Sequence, residues 1–251
     1  MSRATLFRLV AAMLALTVVT SVIMLIPDWN GEAASAEAPK IDTLLDVMIV
    51  LSSFVFSIVV VMMGYCIWRY RAKPGDESDG EPIHGNTRLE IAWTVIPTVI
   101  VLFGAAYSWV VLDQIEAREN PMPVHVTAQQ FKWTFDYPEH GVTSDELHVP
   151  VGRQIELKMN AVDVIHSFWV PEWRIKKDLV PGLTTKLVAT PDKEGTYSVV
   201  CTELCGLGHS TMRAFARVEQ QDEFDEWVAG QPQIPEGGVG ESAREAATQT
   251  E

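Results

Sequence analysis

Apolar residues are arranged along this chain in two regimes. Before residue 112 they run in long blocks, and after residue 121 they alternate with polar residues in short stretches. The first block, 9–26, follows Arg3 and Arg8 and precedes Ala34-Ser35-Ala36. A basic start, an apolar middle and a small-x-small site describe a secretory signal peptide over 1–36, cut after Ala36. The block is long for a signal, and an uncleaved membrane anchor is the alternative reading. Two further blocks, 44–68 and 89–112, each exceed the roughly 20 apolar residues that cross a bilayer. Arg69, Arg71 and Lys73 open the loop between them and Arg88 closes it, so positive charge places that loop in the cytoplasm. Trp68, Tyr70, Trp93 and Trp109 lie where aromatic belts form. The pattern predicts a two-helix transmembrane hairpin within 37–120, with everything after it on the outer side.

From 121 to 228 the period changes. Segments such as VHVTAQQFKWTFDY, DELHVPVGRQIELKMNAV, KLVATP, GTYSVV and RAFARVEQ are rich in Val, Thr and aromatics. Pro138, Gly141, Pro150, Gly152, Pro181, Gly182 and Gly195 punctuate them. Short strands at this spacing predict an all-β sandwich or barrel, and a Greek-key sandwich of roughly 100 residues fits the space. A short amphipathic helix is expected over 222–228. The tail, 229–251, has no apolar pattern and reads as disordered.

Charge changes the picture little. The net charge of −14 excludes nucleic acid as a partner, since phosphate binding needs the opposite sign. An acidic outer domain suits a basic soluble partner, and ordinary solubility explains the same charge. Of three cysteines, Cys66 falls inside a span and reads as a small membrane residue. Cys201 and Cys205 fall on the oxidising side, where a disulfide is one reading of the pair.

The chemistry is concentrated in CTELCGLGHSTM, which carries Cys201, Cys205, His209 and Met212 within twelve residues. Thiolate, thioether and imidazole together favour copper over harder cations. A single blue-copper ion needs one Cys, two His and a weak Met, so the second Cys is the informative residue. Two thiolates can bridge two coppers, with one imidazole for each and Met212 as a weak ligand. That is the donor set of the binuclear centre CuA. The second imidazole is assigned to His166 in VIHSFWVPEW, although a lone His at an apolar strand end is usually a hydrogen-bonded core residue. His84, His125, His140 and His148 have no second ligand beside them. The Glu203 carbonyl can cap one copper, and Gly206 and Gly208 leave the loop free to fold tightly. Without an open coordination position such a site relays electrons and makes no bonds.

With these residues named, the stretch from about 44 to 227 resembles subunit II of haem-copper cytochrome c oxidases of the bacterial type. The family pattern C-x-E-x-C-x3-H-x2-M, with a His upstream before an aromatic and V-P, is met by Cys201, Glu203, Cys205, His209, Met212 and His166. The resemblance implies a cupredoxin-like Greek-key domain carrying CuA and set in the bacterial plasma membrane. It also implies partner subunits I and III, a soluble or membrane-anchored cytochrome c as donor, and passage of electrons to the haem of subunit I for reduction of O2 to water. It further implies a magnesium ion shared with subunit I through Glu203, a proton-pathway entrance at Glu90 in LEIAWTVIPTVIV, and a place near the subunit I interface for Asp178. One departure stands out. The family carries Q-W-x-W where this chain has Gln130-Phe131-Lys132-Trp133, so electrons enter around Phe131, by another aromatic of which Trp133 is the nearest, or the docking surface differs from the common one. No C-x-x-C-H occurs, hence no fused c-type haem. The CuA subunit of a nitric or nitrous oxide reductase, a quinol oxidase subunit II and a membrane-anchored copper-binding protein are the competing readings. The intact ligand set disfavours the quinol oxidase.

Overall fold

The computed structural model describes residues 2–233 apart from 28, 30, 73, 76–79, 81, 83 and 118–119. Most of the expected disordered tail therefore lies outside the described residues. The chain divides into two compact units, one of residues 1–28 and 42–111 and the other of residues 29–41 and 112–251.

The first unit is helical. It holds α1 (Arg3–Leu25), most of α2 (Ala38–Arg69) and most of α3 (Thr87–Ile115). All three are long and apolar enough to cross a membrane, which corrects the expectation of two. Helix α1 has 23 residues, roughly 35 Å of helix, which exceeds the ~30 Å hydrocarbon core of a bilayer. Ser2 caps it by accepting the Thr5 amide at 3.1 Å. The Thr17 and Thr20 hydroxyls donate back to the Met13 and Leu16 carbonyls at 2.8 Å, so neither polar group is left unpaired in an apolar setting. Large apolar side chains, among them Leu14, Val18, Val59, Val101 and Leu102, are exposed along the three helices. A helix that is apolar all round belongs in lipid or a core.

The second unit is a β-sandwich. Its strands are β1 (Met122–Gln129), β2 (Lys132–Tyr137), β3 (Val142–Ser144), β4 (Leu147–Pro150), β5 (Ile155–Ala161), β6 (His166–Val170), β7 (Ile175–Leu179), β8 (Thr185–Ala189), β9 (Gly195–Cys201) and β10 (Arg213–Glu219). They form two five-stranded sheets in the orders β3-β2-β1-β5-β8 and β4-β10-β9-β6-β7. Pairing is parallel between β1 and β5 and between β10 and β4, so strands far apart in sequence become neighbours. Alternation sets the inner faces: Met122, Val124, Val126 and Ala128 of β1 are buried, as period-2 side chains require. Trp133, Phe135, Phe168, Trp173, Leu157 and Leu179 fill the space between the sheets with less than 2% exposure. The helix expected at 222–228 is α4 (Gln221–Gly230), started by a capping box between Gln220 and Glu223. Its Phe224 and Trp227 pack on Tyr137, and Trp227 stacks on His148 at 4.0 Å.

Candidate metal centre

The second sheet brings the candidate ligands together. In the order β10-β9-β6 the end of β9 lies beside the start of β6, with Cys201 opposite Phe168. His166 is the first residue of β6 and Cys201 the last of β9. The connection from β9 to β10 is the loop 202–212, and Cys201 N donates to the Met212 carbonyl at 3.2 Å, which closes its neck. A short 3-10 turn, His209–Thr211, swings His209 inward.

Cys201 and Cys205 are 3.9 Å apart at sulfur. A disulfide needs about 2.05 Å, so the two are unbridged, as free thiols. His166 Nδ1 lies 3.8 Å from Cys201 Sγ, and His209 Nδ1 lies 3.6 Å from Cys205 Sγ. Met212 Sδ is 3.7 Å from Cys205 Sγ, and the Glu203 carbonyl oxygen is 3.4 Å from Cys201 Sγ. The sulfurs thus occupy the middle, an imidazole flanks each, and a weak donor lies near each. His166, Cys201 and Cys205 are buried and place their donor atoms within 4.8 Å of one another, a geometry that could hold a metal. Met212 is fully buried. Burial and the neighbouring Cys201 push the Cys205 thiol up to about 11. A cation must therefore displace a proton to bind there, which couples metal uptake to pH.

Asp163, which the sequence reading passed over, orients His166. Its Oδ1 is 2.8 Å from His166 Nε2. The carboxylate also accepts the backbone amides of Gln130 and Val164, each at 2.7 Å. Burial opposes its ionisation, but the His166 hydrogen bond and these amides hold its carboxyl below the usual range. With Nε2–H donated to Asp163, the Nδ1 lone pair of His166 faces Cys201. This is the carboxylate–histidine arrangement that fixes a ligand's tautomer. The spacing D-x-x-H was the available signal.

The β1–β2 turn rests on the same loop. Gln130 Nε2 donates to the Cys205 carbonyl. A Cβ at Gly208 would lie 2.5 Å from the Phe131 ring, and one at Gly206, where φ is +140°, would lie 2.6 Å from Gln130 Nε2. Both glycines therefore admit this turn against the metal loop. Phe131 is 39% exposed and Trp133 only 1%. Trp133 packs edge-on against Phe168 and His166, with ring centres at 5.7 and 6.3 Å. Leu204 and Leu207 of the loop, and Val164 and Ile165 before His166, are also exposed, giving an apolar surface around the cluster.

The remaining candidates lie elsewhere. Glu203 is exposed, with its backbone and not its carboxylate at the sulfurs. Asp178 on β7 accepts the Ser167 hydroxyl at 2.7 Å, one residue from His166. Glu90 stands in the first turn of α3, where its Oε1 accepts the Asn86 amide at 3.1 Å. Asn86 Oδ1 in turn accepts the amides of Arg88 and Leu89. Glu90 thus has a capping role whatever else it does.

A β-sandwich that gathers two thiols, two imidazoles and a thioether in one end loop, on a chain with apolar helices of spanning length, defines a membrane-bound redox-metal protein. Residues 29–111 match the model of the cytochrome c oxidase subunit II transmembrane domain, and residues 140–218 match that of its periplasmic domain. Cytochrome c oxidase subunit 2 of Synechocystis sp. is 34% identical over 90% of this chain and 85% of its own length. That of Thermostichus vulcanus is 33% identical over 85% and 86%. The crystal structure of the periplasmic domain of subunit II of cytochrome oxidase from Bradyrhizobium japonicum is 27% identical, covers 45% of this chain and 95% of that one, and superposes with a TM-score of 0.44. The chain belongs to the cytochrome c oxidase subunit II family and is the electron-input subunit of a terminal oxidase, an oxidoreductase complex. It is a membrane protein whose β domain lies outside.

Proposed function

We propose that His166, Cys201, Cys205, His209 and Met212, with the Glu203 carbonyl, hold the binuclear copper centre CuA. With that centre bound, the chain would take electrons from a cytochrome c and pass them to the haem of subunit I, where O2 is reduced to water. The observation that carries this is the disposition of the donors: two sulfurs 3.9 Å apart, each flanked by one imidazole Nδ1. A mononuclear site would leave one thiol without a task. When bound, the centre supplies a single delocalised electron-carrying unit. The chain's own residues keep it rigid: Asp163 and the β6 backbone fix His166, the closed neck at Cys201 and Met212 fixes the loop, and burial excludes water. Rigidity of this kind lowers the reorganisation that electron transfer requires.

Phe131 is the electron port. It is the exposed aromatic lying on Gly206 and Gly208, while Trp133, buried beside His166, offers a partner no surface. Leu204, Leu207, Val164 and Ile165 provide an apolar seat for the donor's haem edge. The exposed Glu203 carboxylate contributes to a magnesium site with subunit I. Glu90 marks a proton-pathway entrance on the inner side, and subunits I and III complete the complex in a bacterial plasma membrane that the chain crosses more than once. The test is electron paramagnetic resonance of the full chain loaded with copper in detergent. A seven-line two-copper signal with a purple spectrum is expected. A blue mononuclear spectrum, or metal-free protein with a Cys201–Cys205 disulfide, overturns the assignment.

A further inference from the structure

The segment between α1 and α2 is built into the β domain. Ala34 N donates to the Glu172 carbonyl at 2.8 Å and Ala36 N to the Thr190 carbonyl at 2.9 Å, while the Ala34 carbonyl accepts Asp192 N at 3.3 Å. Ser35 forms an antiparallel bridge with Pro191. Its hydroxyl donates to the Trp173 carbonyl at 3.0 Å and accepts the Ala38 amide at 3.2 Å, which starts α2. Glu37 accepts both the amide and the hydroxyl of Thr190, at 3.0 and 2.7 Å. At the near end Arg174 Nη2 donates to the Gly31 carbonyl at 2.8 Å, and Lys193 Nζ meets Glu32 Oε1 at 2.6 Å. Ala34, Ser35 and Ala38 are no more than 2% exposed.

We propose that residues 31–38 are a permanent strap of the outer domain and that α1 is retained as a third transmembrane helix rather than removed at Ala36. Three small-x-small sites occur between α1 and α2: Gly31/Ala33, Ala33/Ser35 and Ala34/Ala36. Cutting after Ala36 or Ser35 removes the residues that pair with Glu172, Trp173 and Asp192, and leaves buried backbone groups without partners. Cutting after Ala33 places a charged amine at a residue 2% exposed, a costly burial. The bond pattern therefore requires the peptide continuous through all three sites. Retention also gives a consistent topology: Arg3 and Arg8 stay inside, α1 runs outward, the strap docks, and α2 runs back toward Arg69. The strap thereby gives the β domain a membrane tether additional to α3.

The test is the intact mass of the full chain purified from membranes in detergent, beside an Ala36→Glu variant. Ala36 is exposed, so the variant folds, yet a charge at that position blocks peptidase. Retention predicts a wild-type chain that still contains α1, and a variant differing only by the mass of the substitution. A wild-type N-terminus anywhere between 27 and 37, or a variant heavier by the whole leader, overturns the proposal. Hydrogen exchange of the same full chain gives a second reading. The amides of Ala34 and Ala36 should exchange orders of magnitude more slowly than an unstructured peptide, and free-peptide rates there would refute the strap.

Discussion

Asp163 is the residue whose replacement most directly tests how the site is held. Asp163→Asn removes its charge and keeps its shape, while Asp163→Ala removes both. The carboxylate bonds His166 Nε2 at 2.8 Å and two backbone amides at 2.7 Å. Adding a metal–imidazole bond of about 2 Å and the width of the ring places the charge roughly 7 Å from a metal on Nδ1. At an effective dielectric near 20 that is an interaction of about 2 kcal/mol, equivalent to roughly 100 mV for a one-electron couple, an upper bound for a partly solvated group. Removing a negative charge favours the reduced state, so the potential should rise in both variants, by tens of millivolts. The alanine also frees the imidazole and the Gln130 turn, and loss of such a partner lowers metal affinity about 10–100-fold. Equilibrium redox titration of the copper-loaded full chain reads the first effect, and competition with a copper chelator reads the second. If both variants keep the parent potential and affinity, Asp163 neither tunes nor positions His166, and the argument from its three hydrogen bonds fails.

Three other outcomes are expected. Phe131→Ala should slow electron input from a cytochrome c several-fold in stopped-flow measurements with the copper spectrum unchanged, and Phe131→Trp should restore or exceed the parent rate; parent kinetics in the alanine variant would show that the port lies elsewhere. Trp227→Ala deletes the ring stacked on His148 at 4.0 Å and packed on Tyr137, and should lower stability by about 2 kcal/mol for this half-buried aromatic, read as a fall in Tm with the metal spectrum intact. The Arg217 guanidinium hydrogen-bonded to Glu146 holds that carboxyl below its ordinary value. Its stabilisation is therefore complete above the ordinary carboxylate range and is lost as pH falls through the lowered value, so Glu146→Gln should flatten the acid limb of a Tm–pH profile.

Much of the architecture was legible because it follows from periodicity. The blocks at 44–68 and 89–112 lie inside α2 and α3, since no soluble element tolerates such runs, and the alternating segments became strands. The side chains of His166, Cys201, Cys205, His209 and Met212 lie together, with only the backbone carbonyl of Glu203 beside them, because spacing in the loop and donor chemistry restrict which partners are useful. Other features were hidden for identifiable reasons. The first block was split between a leader and an anchor because length and flanking charge serve both. The proposed strap rests on contacts no local window shows: Ala34 with Glu172 and Asp192, Ser35 with Trp173 and Glu37 with Thr190. The stretch 124–137 read as one segment, because its turn, Gln130-Phe131, has neither Gly nor Asn. That turn is held from outside, by Asp163 and by the Cys205 carbonyl. Trp133 and Phe131 looked like alternative ports because sequence cannot say which of two nearby aromatics faces inward; the pleat of β2 buries the first against His166.

The sequence by itself determined the donor chemistry and the membrane attachment, since both depend on residue type and local spacing. Tertiary structure decided what those residues work with. The order β10-β9-β6 carries His166 across a gap of 35 residues to Cys201. The close approach of the β1–β2 turn makes Gly206 and Gly208 necessary. Burial leaves Phe131 at the surface and puts Trp133 in the core. Each of these is a long-range contact, set by how two sheets pack and unavailable to any window along the chain.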